Sequence, residues 1–137
     1  MTTHPLSEDT RHKLLEAAQA VAQNAYVPYS DYRVGAALLG TNGIIYTGCN
    51  VENAAYPATI CAERTALVKA VSEGQKEFIA IAVVTQNGGS PCGLCRQMLF
   101  EFAPGLQVIT ADQDLQVTID APLNELLPHG FGPSSLE

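Results

Sequence analysis

Two short stretches combine side chains that bind metal ions with a side chain that moves protons. Cys61 and Glu63 open one segment with helical spacing of apolar residues, and Cys92 and Cys95 open another. A helix N-terminus is positive, so it lowers the pKa of a thiol and favours the thiolate. Three thiolates suit zinc and leave its fourth tetrahedral position for water, as in a catalytic site. We therefore predict that Cys61, Cys92 and Cys95 bind one zinc ion.

Two charged residues follow the first of these thiols. Glu63 is poorly placed as a fourth ligand, but its carboxylate is well placed to accept and return the protons of a water molecule. Three thiolates give zinc an excess of negative charge, which works against the activation of water. We expect Arg64 to offset this charge by donating a hydrogen bond to a zinc-binding thiolate.

The elements that must position these residues are predicted from apolar periodicity and turn signals. Helices are expected at 6–25, 61–73, 92–102 and, briefly, 122–127, and strands at 33–39, 44–50, 78–85, 106–110 and 115–119. The pair Asn42-Gly43 favours a tight hairpin between the first two strands. The segment 51–60 is polar and turn-like.

The order of these elements predicts the architecture. Strand–helix–strand alternation implies parallel neighbours with helices on both sheet faces. The gap 111–114 is too short for a parallel crossover, so the last two strands should be antiparallel. We predict an α/β fold with three α/β/α layers and a five-stranded mixed sheet, formed by one domain spanning residues 1–137.

Composition excludes several classes of partner. The chain has 137 residues, a formal net charge of −7 and seven scattered basic residues, so a basic face for a nucleic acid polymer is not expected. No apolar run reaches the roughly 20 residues of a membrane span, and no signal pattern is seen, which predicts a cytoplasmic protein without a membrane partner. A disulfide framework is disfavoured by the same compartment argument.

The motifs resemble those of the small, three-cysteine cytidine deaminases. The resemblance rests on Cys-Ala-Glu-Arg-Thr-Ala at 61–66 and Pro-Cys-Gly-Leu-Cys-Arg-Gln at 91–97, and it extends in order through 27–30, 34–37, 48–54, 126–128 and 131–132. A Glu general acid/base and a Pro-Cys-x-x-Cys signature characterise the wider zinc-deaminase class. The resemblance implies a cytidine-deaminase-like fold and one zinc ion per subunit. It also implies hydrolysis of cytidine and 2′-deoxycytidine to the uridines and ammonia, in pyrimidine salvage.

The resemblance also assigns residues to the substrate and to a partner. Asn50 and Glu52 match residues that hold the sugar hydroxyls, and the Ala62 backbone matches one that reads the base, as does Glu63. The family is typically a homotetramer with shared active sites, to which a neighbouring subunit would contribute Tyr56 and Phe131, the latter stacking on the pyrimidine. Further substrate contacts are expected at two positions, Ala54 and Tyr32. Tyr32 stands where these enzymes more often carry Phe.

Several alternatives stay open on the sequence. Cys49 is the obvious fourth ligand of a closed, structural Cys₄ zinc site. A non-catalytic zinc-binding oligomer is a further alternative, but it leaves Glu63 and Phe131 without a purpose. An aminonucleoside-antibiotic deaminase would share the zinc motif, whereas a nucleotide deaminase needs cations for a phosphate and a polynucleotide deaminase needs a basic surface. Three aromatic residues, Tyr26, Tyr29 and Phe102, are most simply interpreted as core residues without a role in function.

Overall fold

The structure is a computed structural model that describes residues 6–137. The elements follow the order α1 (Glu8–Ala22), β1 (Gly35–Gly40), β2 (Ile45–Cys49), α2 (Ala62–Ser72), β3 (Phe78–Val84), α3 (Gly93–Phe102), β4 (Gln107–Ala111), β5 (Val117–Pro122) and α4 (Leu123–Leu126). Short 3₁₀ turns occur at Tyr56–Ala58 and Pro133–Leu136. The predicted succession of helices and strands is confirmed, and the turn at Tyr56–Ala58 lies in the segment predicted to be turn-like.

The five strands form one mixed sheet with the order β2-β1-β3-β4-β5. Only β3 and β4 are parallel neighbours among the described strands, and β4 and β5 are antiparallel as predicted. The expectation of parallel neighbours holds for β3 and β4. It does not hold across α2, because β1 lies between β2 and β3 and pairs antiparallel with both.

Helices cover both faces of the sheet, which confirms the three layers. Alternation along each strand directs successive side chains to opposite faces. On one face α1 packs Leu14, Leu15 and Ala18 against side chains of β1, β3 and β4. On the other face α2 and α3 pack against the same three strands, through buried residues such as Leu67 and Leu99.

Two glycines allow helices to approach the sheet closely. A Cβ atom on Gly35 would lie 1.9 Å from the Ala18 carbonyl oxygen of α1. A Cβ atom on Gly48 would lie 2.4 Å from the Ala66 backbone nitrogen and 2.7 Å from the Ala62 carbonyl oxygen. The glycine at position 48 therefore lets the first turn of α2 lie directly on β2, which sets the position of the residues that begin this helix.

The last hairpin differs from its predicted boundaries. The strand predicted at 115–119 begins at Val117 and continues to Pro122. Leu115 has φ +61° and belongs to the turn, where the Asp112 carboxylate accepts hydrogen bonds from the backbone N–H groups of Asp114 and Gln116. The apolar Leu115 suggested a strand, but the local Asp112 turn determines its conformation.

None of the helices in the described part of the chain is both long enough and apolar enough to span a membrane.

Candidate active site

The three predicted zinc-binding thiols meet at the N-termini of α2 and α3. Cys61 is the N-cap residue of α2, Cys92 is the N-cap residue of α3, and Cys95 lies in the first turn of α3. All three Sγ atoms lie within 4.8 Å of one another, with 3.8 Å from Cys61 to Cys92 and 3.3 Å from Cys92 to Cys95. Tetrahedral zinc with Zn–S bonds near 2.3 Å separates two sulfurs by about 3.8 Å. The donor set therefore fits zinc in both chemistry and spacing.

The thiols differ in burial and in their proton affinity. Cys95 is fully buried, Cys61 is partly buried and Cys92 is exposed, so the cluster is accessible from one side. The contact with Cys95, assisted by Arg64, lowers the pKa of Cys61 to about 5, and the same contact raises the pKa of Cys95. Cys49 is not part of this cluster, which contradicts the closed Cys₄ alternative. All four cysteines are free thiols, so the disulfide alternative is also contradicted.

Glu63 is the second residue of α2 and its side chain is almost completely buried, with 4% exposed. Burial raises the pKa of this carboxyl to about 7, and the negative charge of Cys61 acts in the same direction. A carboxyl with this pKa can both accept and donate a proton near neutral pH. The position beside Cys61 and the raised pKa agree with the expected proton-transfer role.

The two arginines that follow site residues have different contacts. Arg64 donates from Nη2 to the Thr59 carbonyl oxygen at 3.1 Å, and the same nitrogen lies 3.9 Å from Cys61 Sγ. Arg96 instead donates to the Leu126 carbonyl oxygen and ties α3 to α4. Of the two, Arg64 is the one in reach of a thiol.

Asn50 and Glu52 organise the loop that precedes β1. The Asn50 amide accepts from the Val34 N–H at 2.9 Å and donates to the Tyr32 carbonyl oxygen at 2.8 Å. One Glu52 oxygen accepts from the backbone N–H groups of Tyr29 and Ser30 at 3.0 and 3.1 Å, and the other accepts from the Ser30 hydroxyl. The pKa of Glu52 is lowered, chiefly by the hydrogen bond that the Ser30 hydroxyl donates to the carboxylate. Both side chains keep free donor or acceptor capacity for a ligand.

An open cleft of about 320 Å³ lies beside Glu52. It is lined by Tyr29, Ser30, Glu52, Tyr56 and Thr59. The rings of Tyr29 and Tyr56 pack edge to face with centroids 5.6 Å apart. Sequence reasoning missed Ser30 and Thr59 as cleft residues, because the contact of Ser30 with Glu52 joins residues 22 positions apart and no motif marks Thr59.

The prediction that Tyr26 and Tyr29 are core aromatics is wrong. Their exposed fractions are 57% and 51%, because both lie on the loop that follows α1 rather than on a helix or strand face. Phe102 is partly buried and packs edge to face against Phe78. Because Tyr29 is exposed, its side chain lines the cleft beside Glu52.

The remaining predicted site residues lie in different environments. Ala62 is fully buried at the start of α2, Ala54 is exposed, and Tyr32 is half-buried between Asn50 and the loop after β3. Tyr56 and Phe131 are 70% and 57% exposed. Hydrogen bonds bring Tyr32, Asn50 and Glu52 together through the loop 29–34, whereas no hydrogen bond described here joins Phe131 to that group.

The segment that carries Phe131 is held against α3. The Gln97 side chain donates to the Phe131 carbonyl oxygen at 2.9 Å. A Cβ atom on Gly130 would lie 2.7 Å from the Phe100 ring, and one on Gly132 would lie 3.2 Å from it. The backbone on both sides of Phe131 therefore packs on Phe100, while the Phe131 ring stays exposed.

Comparison with known proteins identifies the family. Residues 8–111 match the pattern described as the cytidine and deoxycytidylate deaminase zinc-binding region, which includes all three clustered thiols. The chain is 46% identical over 129 residues to a cytidine deaminase of Sporosarcina psychrophila, covering 90% of this chain and 93% of that protein. A cytidine deaminase of Halalkalibacterium halodurans is 44% identical over 126 residues, covering 88% and 93%.

The fold comparison agrees with the sequence comparison. The 1.6 Å crystal structure of cytidine deaminase from Burkholderia pseudomallei superposes with a TM-score of 0.85 at 45% identity, covering 89% of this chain and 99% of that one. The fold is thus shared over 89% of this chain, and the matched zinc-binding region covers residues 8–111. This chain belongs to the cytidine deaminase family.

Proposed function

We propose that the chain is a cytidine deaminase that hydrolyses cytidine and 2′-deoxycytidine. Water adds to C4 of the pyrimidine, the C4–N bond breaks, and uridine or 2′-deoxyuridine and ammonia are released. The observation that carries this proposal is the buried Glu63 carboxyl beside three thiols at two helix N-termini, within the matched zinc-binding region. The cytidine deaminases named above, at 44–46% identity, support the same reaction.

Cys61, Cys92 and Cys95 would hold the zinc ion. Zinc, when bound, supplies the Lewis acidity that makes a water molecule nucleophilic near neutral pH. Glu63 accepts one proton from the attacking water and delivers it to the ring nitrogen. It then accepts the second proton from the hydroxyl formed at C4 and delivers it to the departing amine, which leaves as ammonia. The Glu63 pKa of about 7 suits both directions of transfer. Arg64 acts on the thiols rather than on the substrate, by drawing negative charge from Cys61.

We assign the sugar contacts to the loop side of the site, and the base contacts to that side and to the start of α2. Asn50 and Glu52 bind the sugar hydroxyls with the donor and acceptor capacity that their loop contacts leave free. The Ala62 backbone reads the base, and Tyr32 and Ala54 border it. The cleft beside Glu52 is lined by a carboxylate and, in the described part of the chain, by no Lys or Arg. This lining favours an uncharged nucleoside over a nucleotide, because a phosphate would meet an anion there.

The chain is proposed to act as a homotetramer of single-domain subunits with shared sites. Tyr56 and Phe131 are large side chains left 70% and 57% exposed, and exposed aromatics of this size are typical of interfaces. The packing of Gly130 and Gly132 on Phe100 holds Phe131 outward, where it can reach a neighbouring subunit. A cytoplasmic location is proposed as well, because three free thiols stay available for zinc in a reducing compartment.

The test follows the ultraviolet absorbance of cytidine, deoxycytidine and CMP with the purified protein, together with its zinc content. We expect loss of the cytidine and deoxycytidine bands, inert CMP, and about one zinc per chain. Zinc at this ratio without turnover of either nucleoside would refute cytidine and deoxycytidine as substrates and would favour an aminonucleoside-antibiotic deaminase. Turnover of CMP at a similar rate would refute the preference for a free nucleoside.

A further inference from the structure

The backbone of Tyr32 is held by Asn50, which is assigned to the sugar, and by Ser30. The Asn50 amide donates to the Tyr32 carbonyl oxygen at 2.8 Å, and the Tyr32 N–H donates to the Ser30 hydroxyl at 3.0 Å. The backbone of this residue is therefore fixed. Its side chain leaves the loop 29–34 and ends at a different part of the fold.

The Tyr32 hydroxyl donates a hydrogen bond to the Asn87 side-chain oxygen at 2.6 Å. Asn87 lies in the loop 85–92 between β3 and the N-terminus of α3, which carries Cys92. The two residues are 55 positions apart in the chain. This contact is therefore a direct tie between the loop that borders the substrate and the loop that leads to the thiol cluster.

The loop around Asn87 is fixed to the sheet by contacts of its own. The Gly89 N–H donates to the Thr85 hydroxyl at 2.9 Å, and the Thr118 hydroxyl of β5 donates to the Gly88 carbonyl oxygen at 2.7 Å. Asn87 also forms a β-bridge with Asp112. Since the sheet holds this loop without Tyr32, Asn87 serves as a rigid point to which the Tyr32 ring is attached.

We propose that Asn87 is a positioning residue, which fixes the orientation of the Tyr32 ring against the pyrimidine by accepting a hydrogen bond from the Tyr32 hydroxyl. The role rests on the proposed deamination of cytidine. Because Tyr32 is held both at its backbone and at its hydroxyl, its ring loses little conformational freedom when the substrate packs against it. Less of the binding free energy is therefore spent on ordering this side chain. The hydroxyl is also satisfied within the chain, so a Tyr adds no unpaired polar group to the wall of the site.

The test is a double-variant cycle on the zinc-loaded enzyme with Tyr32→Phe, Asn87→Ala and the combined variant. Each single variant is expected to raise the KM for cytidine and the Kd of uridine about two- to tenfold, the range for one neutral hydrogen bond. kcat and zinc content should stay near those of the wild type, because the lost restraint acts on binding rather than on the reacting groups. The combined variant should be no worse than either single one. Asn87→Asp keeps an acceptor oxygen and should restore the wild-type KM.

A matched control cycle exists at the far end of the first hairpin. There the Tyr46 hydroxyl accepts from the Asn42 amide at 3.0 Å, at the turn opposite the end of β2 that leads to Asn50. Tyr46→Phe and Asn42→Ala should leave the KM unchanged, whatever they do to the melting temperature.

Besides single variants that leave the KM unchanged, three outcomes would overturn the positioning role. These are effects of Tyr32→Phe and Asn87→Ala that add in the combined variant, a fall in kcat without a change in KM, or an equal rise in KM in the control cycle. Wild-type activity is measured first in the same assay. An active wild type with unaffected variants refutes only the role of Asn87, whereas an inert wild type refutes the proposed function and this role together.

Discussion

The thiol corner (Cys61, Glu63, Cys92 and Cys95) and the loop corner (Tyr29, Ser30, Asn50 and Glu52) hold their side chains by different means. In the thiol corner, two helix N-termini and burial in the core position the reactive groups, and Cys95 and Glu63 are nearly inaccessible. In the loop corner, side chains hold one another by hydrogen bonds around an open cleft. We infer that the thiol corner carries out the reaction and that the loop corner binds the substrate. Substitutions in the thiol corner should therefore lower kcat or zinc content, and substitutions in the loop corner should raise KM.

The largest effect is expected for Glu63→Gln. The amide keeps the size of the buried side chain but cannot transfer protons, so kcat should fall about 10²- to 10⁴-fold. Zinc content and fold should be retained, because the three thiols are untouched. Steady-state kinetics and metal analysis measure both. Glu101→Gln, an exposed carboxyl of α3, is the matched control and should behave as the wild type. Ordinary turnover by Glu63→Gln would contradict the proton-transfer role.

The second-largest effect is expected for Phe131→Ala. The ring of Phe131 points away from the core of its own chain. Loss of a ring that stacks on a base reduces binding by about 5- to 150-fold, so Phe131→Ala should raise KM within this range. If the ring serves a neighbouring subunit, co-expression of Phe131→Ala chains with Glu63→Gln chains should restore activity. Some sites of the mixed oligomer would then combine an intact Glu63 with an intact Phe131.

The control for this experiment is a chain that carries both substitutions, co-expressed with Glu63→Gln chains. That mixture contains no intact Glu63 and should stay inactive. A mixture of single variants no more active than its two components, although sedimentation shows a mixed oligomer, would mean that Phe131 does not complete a neighbour's site.

The two corners also differ in how far the sequence predicts them. The thiol corner depends on short-range patterns, since a Cys at a helix start and a Pro-Cys-x-x-Cys run are visible without the fold. The loop corner depends on contacts between distant residues, such as Tyr32 with Asn87 and Ser30 with Glu52. No motif marks Thr59 or Asn87, and Ser30, although it lies in the motif at 27–30, has no role assigned by it, so the contacts of these three residues became apparent only in the structure.

The fold shows the same contrast between local and distant determinants. Asn42-Gly43 and the helix periodicities predicted the first hairpin and the helices to within a few residues. The insertion of β1 between β2 and β3 follows from long-range pairing, which alternation of elements does not specify. Leu115 shows a smaller failure, because the hydrogen bonds of Asp112 outweigh the strand preference of one apolar side chain.

A smaller, pH-dependent effect is expected for Ser30→Ala in the loop corner. The Ser30 hydroxyl is the largest cause of the lowered pKa of Glu52, so the wild-type carboxylate stays ionised at pH values below its ordinary pKa of 4.5. Without the hydroxyl the pKa rises toward that value. As pH falls, the KM for cytidine should therefore begin to rise at a higher pH in the variant. KM profiles measured from neutral to acidic pH test this, and coincident profiles would show that Glu52 does not bind substrate as a carboxylate.

The smallest effect is expected for Cys49→Ala, which separates the thiol corner from the rest of the cysteines. Cys49 ends β2, where its backbone pairs with Gly35, and its sulfur is outside the cluster formed by the other three thiols. Since a catalytic zinc site needs three protein ligands, Cys49→Ala should keep wild-type zinc content and kcat, whereas Cys95→Ala should lose zinc. Metal analysis after dialysis against a chelator compares the two variants. Equal loss of zinc in both would mean that the end of β2 moves to bring Cys49 to the metal, and the site would then be closed and structural.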